Sequence, residues 1–242
     1  MRISDFIDAS NRTDSPDALL ALMERAIGDI GFERYAYCAL TSHERYKGAD
    51  NRAPAVALNY PASWTDYYFE HGYQSRDPVI HYARGIAHPF LWRWLEQSVK
   101  LNGAQTTVMD QAREAGLLDG AAVPIHGPYG NVCLLTCASA NRHPRAGLML
   151  SNLAVLATQF HAAYGELSHP DTDWRIVPVL SERERACLQW AAHGKSSSEI
   201  GDILHISENT VNFHLKKAFR NLDASNRIAA VVNAIRYGLI SL

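Results

Sequence analysis

The stretch Ile206-Ser-Glu-Asn-Thr-Val-Asn-Phe-His-Leu-Lys-Lys-Ala-Phe-Arg-Asn-Leu222 decides how the C-terminal part of this chain folds. Ser207 is a good helix N-cap, and Val211, Leu215, Ala218 and Leu222 recur behind it at helical spacing, so one face is apolar. The opposite face presents Asn209, Asn212, Lys216, Lys217 and Arg220, with no acidic residue after Glu208. Such side chains can meet phosphates or offer hydrogen bonds to base edges. A short helix of this kind, preceded by another short helix and a tight turn, reads as the recognition element of a helix-turn-helix.

The flanking sequence completes a small helical domain. Ser181 with Glu184 three residues on forms a capping box, and Ala186, Leu188, Trp190 and Ala191 supply the buried side of a first helix that ends at Gly194. A second helix is expected from about Ser197 to Leu204, with Ile200, Ile203 and Leu204 inward. A fourth, Asn226 to Tyr237, carries Ile228, Ala229, Val231, Val232 and Ile235, more apolar positions than so small a domain can bury alone. That surplus points to a helix-to-helix dimer contact.

Upstream, Ser-His-Pro-Asp-Thr-Asp-Trp-Arg-Ile-Val-Pro178 is polar, bracketed by Pro170 and Pro178, and interrupts a helical pattern over 145 to 166. The expected organisation is a domain over 1–167, a linker over 168–179 and the helical domain over 180–242. In the first domain, helical patterns lie at about 15–30, 62–72, 104–116 and 145–166, and Arg34 to Thr41, Ala55 to Asn59, Ala121 to His126 and Val132 to Ala138 read as strands. Gly127-Pro-Tyr-Gly130 joins the last two as a hairpin. Helices interleaved with strands that pair as hairpins imply an antiparallel sheet covered by helices on its faces, a layer that can hold a ligand between sheet and helices. The fold class is therefore α+β: an N-terminal α/β/α sandwich and a C-terminal all-α four-helix domain.

Composition narrows the function classes. The 242 residues are 47% hydrophobic with a formal net charge of -2, which argues against nucleic-acid binding over the whole surface. Residues 181–242 hold 8 Lys/Arg against 6 Asp/Glu, leaving 15 against 19 for the rest, and the acids of the C-terminal part fall mostly before the recognition helix. Basic side chains are thus concentrated on one helix, as a docking surface needs. No apolar run approaches bilayer length and the N-terminus lacks the apolar core of a secretory signal, so a cytoplasmic protein without membrane contact is expected. Cys38, Cys133, Cys137 and Cys187 are scattered, with no zinc-ligand spacing, and read as reduced core residues.

In its residues and their spacing the chain resembles the LuxR-type quorum-sensing transcription regulators over essentially its whole length. The matching strings in the C-terminal part are Leu180-Ser-Glu-Arg-Glu-Arg-Ala-Cys-Leu-Gln-Trp190, Gly194-Lys195, Glu199-Ile200, Ile206-Ser207 and Thr210-Val211-Asn212-Phe213-His214. In the N-terminal part they are Tyr60, Trp64 with Tyr68 one helical turn on, Asp77-Pro78, Trp92, Gly120 and Thr136. The resemblance implies a pocket for an N-acyl-homoserine lactone, a homodimer on a pseudo-palindromic, inverted-repeat site in double-stranded DNA, and RNA polymerase as a further partner, with no cofactor. It places Asn212 and Lys216 at base edges and Thr210, Lys217 and Arg220 at phosphates. Phe213 either packs on the first helix or touches a thymine methyl, and Asn221 stands where many relatives carry Lys, so one phosphate contact would be missing.

The ligand chemistry suits those residue types. An acyl-homoserine lactone has an amide N–H, an amide carbonyl, a lactone carbonyl and an apolar chain. Asp77 can accept the N–H in a charge-assisted bond, the Trp64 indole can donate to the lactone carbonyl, and the Tyr60 hydroxyl can donate to the acyl carbonyl. Thr136 would share the carboxylate or the amide group, and Tyr68, Trp92 and Trp94 would wall the head group or the chain. Taken singly, each has an ordinary explanation: aromatics as core, Asp77-Pro78 as a cap before a Pro-started helix, Thr136 as a strand residue, Gly120 as a backbone position needing room, and the lysines as a solvated helix face. The joint spacing favours the ligand and DNA readings.

Three other function classes bear on the same residues. A related regulator sensing a different small molecule fits the same domains. An acyl-lactone-processing enzyme fits poorly: His71, His81, His88, His126, His161 and His169 form no metal set, and no nucleophile elbow, phosphate loop or metalloprotease helix is present. A phosphorylation-driven response regulator would need a parallel α/β receiver with an acidic cluster, which residues 1–166 do not offer.

Overall fold

In the computed structural model, the structure describes residues 1–41, 55–127, 130–142, 146–168 and 177–242. They form two compact units: one holds Met1–Gly127 and the chain from Asn131 to about residue 171, the other the chain beyond it. The expected linker positions 169–176 and the turn positions 128 and 129 lie outside the described residues.

The first unit opens with α1 (Ile3–Ser10) and α2 (Pro16–Ile30), then β1 (Arg34–Ala39) and β2 (Ala55–Leu58). After these come α3 (Ala62–Glu70), a 3-10 turn at Tyr73–Ser75, α4 (Pro78–Ala83), β3 (Phe90–Leu91), α5 (Trp92–Ser98), α6 (Gly103–Glu114), β4 (Asp119–His126), β5 (Val132–Ser139) and α7 (Ala146–Ser168). The five strands make one antiparallel sheet in the order β2-β1-β5-β4-β3. Strand alternation sends alternate residues to opposite faces. On β5, Cys133, Leu135 and Cys137 join the core beneath α1, α2 and α7, whereas Leu134 and Thr136 turn toward α3 to α6. On β1 the same parity sends Tyr35 and Tyr37 one way and Ala36 and Cys38 the other. The result is the expected α/β/α sandwich with helices on both faces of the sheet.

Elements that the periodicity did not show are the short ones. Helix α1 has eight residues, α4 six, α5 seven, and β3 pairs through only Phe90 and Leu91. Too few residues lie in each for a 3.6 or 2.0 repeat to declare itself. Asp77-Pro78 does cap a Pro-started helix: Asp77 Oδ1 accepts from Val79 N at 2.7 Å and Ile80 N at 3.4 Å.

The second unit contains α8 (Glu182–Ala192), α9 (Ser197–Leu204), α10 (Glu208–Asn221) and α11 (Arg227–Arg236). Ser181 and Glu184 form the expected capping box, and Ser196 with Glu199 forms a second one. Gly201 is where the helix-turn-helix closes, since a Cβ there would lie 2.7 Å from the Ile206 carbonyl oxygen. His205 holds the intervening turn at φ +55°, a left-handed conformation that L residues adopt at some strain.

The buried faces correct the expectations for α8 and α9, and on α11 they leave apolar residues exposed, as its surplus implied. On α8 the inward residues are Glu184, Cys187, Leu188 and Ala191, with Ala186 and Trp190 half-buried beside them. On α9, Ile203 is 37% exposed, because Ile200 and Gly201 take the inward positions against α10. On α11, Ala230 and Ala234 are inward, leaving Ile228 77% and Val232 48% exposed one turn apart. All four cysteines are buried and free of disulfides.

Candidate functional site

The first unit holds a mostly apolar cavity between the sheet and helices α3, α4 and α6. Tyr60, Trp64, Tyr68, Asp77, Trp92 and Thr136 all line it. Their convergence has local causes. Asn59 acts as a surrogate strand partner, its Oδ1 accepting from Tyr35 N at 2.6 Å, and Tyr60-Pro61 then leads the chain off the sheet edge into α3. On α3, Trp64 and Tyr68 are one turn apart and pack edge to face with ring centroids at 5.6 Å. The pairing of Leu91 with Ala121 carries Trp92 onto β4, where Gly120 accommodates the indole. A Cβ on Gly120 would collide with that ring, with Trp92 Cε3 only 2.7 Å away.

Polar contacts inside the cavity link these residues. The Tyr68 hydroxyl donates to Asp77 Oδ2 at 2.8 Å, so Tyr68 orients a carboxylate as well as forming a wall. The Tyr60 hydroxyl donates to Thr136 Oγ1 at 3.5 Å. Burial pushes the Asp77 carboxyl above its ordinary value, outweighing the Tyr68 hydroxyl and the two amides of α4 that favour the charged form. Burial likewise holds the Tyr60 and Tyr68 hydroxyls well above the usual phenol range, so both remain donors. The Trp92 indole N–H is buried and makes no hydrogen bond among the described residues. Two expectations change. Trp94 is 39% exposed, packs near His88 and Phe90, and does not line the cavity. The greater part of the wall is apolar and was not anticipated: Ala36, Cys38, Leu58, Val79, Ile80, Val108, Met109, Ala112, Leu117 and Leu134. In the sequence these are indistinguishable from core.

On α10, Val211, Leu215 and Ala218 are buried and Lys216 and Arg220 are exposed, and neither cation pairs with an acidic side chain among the described residues. Lys217 differs. Its ammonium lies 3.2 Å from Oε1 of Glu184, a carboxylate only 1% exposed. Burial raises the Glu184 pKa, but the Lys217 and Ser181 contacts together prevail and hold it below the ordinary glutamate value. Asn221, at the position of the expected missing phosphate contact, donates to Glu184 Oε2 at 3.0 Å and to the Val179 carbonyl at 3.4 Å. Both residues thus bind the recognition helix to α8. Asn212 Oδ1 accepts from the Ser197 hydroxyl at 2.7 Å, and Thr210 is tied to Ser207 through its hydroxyl at 2.7 Å. Phe213 is 61% exposed, which removes packing on the first helix as its role.

Among the described residues no group of His, Cys, Asp or Glu could hold a metal ion, and no helix is long and apolar enough to cross a membrane.

Each unit matches a known protein family. Residues 15–164 match the autoinducer binding domain family, and residues 178–234 match the luxR family of bacterial regulatory proteins. The HTH-type quorum sensing-dependent transcriptional regulator RpaR of Rhodopseudomonas palustris is 34% identical over all of this chain and 96% of its own length. The transcriptional activator BjaR1 of Bradyrhizobium diazoefficiens is 33% identical over 93% of this chain and 90% of its own. Among solved structures, Escherichia coli SdiA superposes with a TM-score of 0.64 at 25% identity, covering 99% of this chain and 98% of that one. CepR2 of Burkholderia cenocepacia, at 19% identity over 68% of this chain and 95% of its own, shares the fold with a TM-score of 0.55. The family and these relatives are transcription regulators, not enzymes. With a cavity in the sandwich of one unit, a helix-turn-helix in the other, and a family match over each, the chain belongs to the LuxR family of quorum-sensing transcription regulators, with an autoinducer-binding domain for a small-molecule ligand.

Proposed function

We propose that the protein binds an N-acyl-homoserine lactone in the cavity of its first unit and, as a cytoplasmic homodimer, an inverted-repeat operator through α10, from which it acts on RNA polymerase. The observation that carries this reading is the convergence of Tyr60, Trp64, Asp77 and Thr136 on one cavity whose remaining wall is apolar. Asp77 already accepts from Tyr68 and from the α4 amides. A carboxylate has about four acceptor positions, so capacity remains for an amide N–H. The Trp64 indole lines the cavity and can donate to the lactone carbonyl. The Tyr60 hydroxyl, loosely held by Thr136, can turn to the acyl carbonyl.

The apolar wall supplies the larger part of the affinity. Burying an acyl chain contributes ~0.8 kcal/mol per methylene, so about six carbons give ~5 kcal/mol before polar contacts are counted. A buried donor such as the Trp92 N–H left unpaired costs roughly 1–3 kcal/mol, on the scale of a domain's net stability. Signal binding would therefore stabilise the first unit and set how much dimer can bind DNA. Two-fold symmetry then calls for half-sites about one helical turn apart, ~10 bp.

The test is to express the full chain beside synthases of different acyl-homoserine lactones and identify co-purifying small molecules by mass spectrometry. One lactone should be retained in near-equimolar amount and should raise the thermal midpoint of purified protein. Retention of none, with an unchanged midpoint across a lactone panel, rules the ligand out. Footprinting of an asymmetric single site by monomer would rule out the dimer.

A further inference from the structure

The three serines that open α9 do different work. Ser196 caps the helix, its Oγ accepting from Glu199 N at 3.3 Å, and Ser198 is exposed. Ser197, half-buried at the first helical position, is not needed as a cap and instead donates its hydroxyl to Asn212 Oδ1 on α10 at 2.7 Å. The acceptor end of the Asn212 amide is thereby turned toward α9. Its Nδ2 makes no hydrogen bond with any described residue.

This matters for reading DNA because an asparagine distinguishes bases by which end of its amide it presents. Bidentate recognition of adenine uses both ends, with Oδ1 accepting from N6–H and Nδ2 donating to N7. With Oδ1 engaged by Ser197, only donors point outward from Asn212. Lys216, one turn on and exposed, adds three more donors and no acceptor. Between them Phe213 exposes an apolar ring. An all-donor face with an apolar neighbour complements guanine, whose major-groove edge has two acceptors, and thymine, which has one acceptor and a methyl group.

We infer that Ser197 is a positioning residue for base selection: by holding the Asn212 amide donor-outward it makes the recognition helix favour guanine over adenine at the Asn212 position of each half-site. The inference rests on α10 reading DNA as proposed above. Removal of the hydroxyl would free the amide to present both ends, and adenine would become as readable as guanine.

The test is selection from a randomised double-stranded oligonucleotide pool by the full chain, with an acyl-homoserine lactone panel present, comparing wild type with Ser197→Ala, Ser197→Thr and Asn212→Ala. Wild type should enrich an inverted repeat with guanine at one symmetry-related pair of positions. Ser197→Ala should let adenine rise there, narrowing a preference of roughly tenfold or more, the scale of one well-made base contact, to near parity. Ser197→Thr, which keeps the hydroxyl, should restore guanine, and no variant should lower the melting temperature by more than about 8 °C, the scale of one hydrogen bond in so small a unit. Ser197→Ala with the wild-type base preference overturns the inference even if Asn212→Ala changes that preference. So does an equal loss of affinity for every sequence, which would make Ser197 merely structural. A wild-type chain that enriches no sequence overturns the DNA-binding proposal and this inference with it.

Discussion

Asp77 shows how one side chain can serve fold and function together. It caps α4, receives the Tyr68 hydroxyl and faces the cavity. Because burial raises its folded-state pKa above the unfolded value, the folded chain binds the proton more tightly. Between those two values the native state carries more protons than the unfolded state, so stability falls as pH rises through that window. Asp77→Asn keeps the N-cap oxygen and removes the charge, and it places an amide NH2 where the second carboxylate oxygen stood, to which the Tyr68 hydroxyl can turn as acceptor. Without ligand, its midpoint should therefore be unchanged or higher at neutral pH and should lose this acid-side pH dependence. Acyl-homoserine lactone affinity should fall by about 1.5–3 kcal/mol, the worth of a hydrogen bond to a charged group. Calorimetric titration beside a pH series of melts checks both, and unchanged affinity would take Asp77 out of the binding set. On α10, Lys216 and Lys217 are adjacent yet separable. Lys217→Ala removes the cation 3.2 Å from buried Glu184 Oε1 and should lower stability by ~1–2 kcal/mol, discounted because the ammonium is half exposed. Since the Glu184 pKa lies below its unfolded value, that stability is present above the ordinary glutamate range and lost as pH falls through the folded value. Lys216→Ala should leave the melt alone and weaken the selected DNA site by ~1–3 kcal/mol.

At the level of elements, the cavity depends on how β4 and α5 approach one another. Gly120 has no Cβ where the Trp92 indole rests, so Gly120→Ala forces the indole to move. Overpacking of this kind typically costs about 1–3 kcal/mol, and here it also shifts a wall of the ligand site. A lower midpoint with weakened lactone binding is expected, with the α10 unit's own melt unchanged. A Gly120→Ala chain that melted and bound as wild type would show the β4 backbone free to retreat. Helix α11 carries the complementary liability: its two small inward residues, Ala230 and Ala234, let it pack closely on the domain while Ile228 and Val232 are left exposed. Ile228→Glu should convert the proposed dimer to monomer in sedimentation and lower the melting temperature only by the part that rises with protein concentration in the wild type, because within one chain no buried contact is removed.

For the whole molecule, the ligand is expected to act through linkage. A lactone present at about one hundred times its dissociation constant adds ~2.7 kcal/mol to the folded state, a rise on the order of 5–10 °C in the midpoint of the sandwich. The dimer fraction should rise with it, and DNA affinity should fall steeply with salt, since Lys216, Arg220 and their two-fold mates release counterions. A dimer fraction indifferent to a lactone that binds would separate sensing from assembly.

Legibility in the sequence followed the length and periodicity of the signal. The α2, α6, α7 and α10 patterns, the β4–β5 hairpin and the Ser181 capping box were readable because each repeats over several turns or rungs, or uses residues that local backbone geometry demands. The polar ends of the cavity were readable because Tyr60, Trp64, Asp77 and Thr136 are residue types with hydrogen bonds to make. Its apolar wall was not, since Val108 or Leu134 beside a ligand looks the same in sequence as Val108 or Leu134 beside a neighbour. The sequence by itself determined two kinds of domain and the chemistry each could offer. Only tertiary packing decided that Lys217 serves Glu184, that Tyr68 serves Asp77, that Trp94 faces outward and that Ser197 meets Asn212. Hydrogen bonds and ion pairs act over a few ångströms of space, and 15 to 33 residues separate the two partners in the longest of these pairs, Ser197 to Asn212 and Glu184 to Lys217.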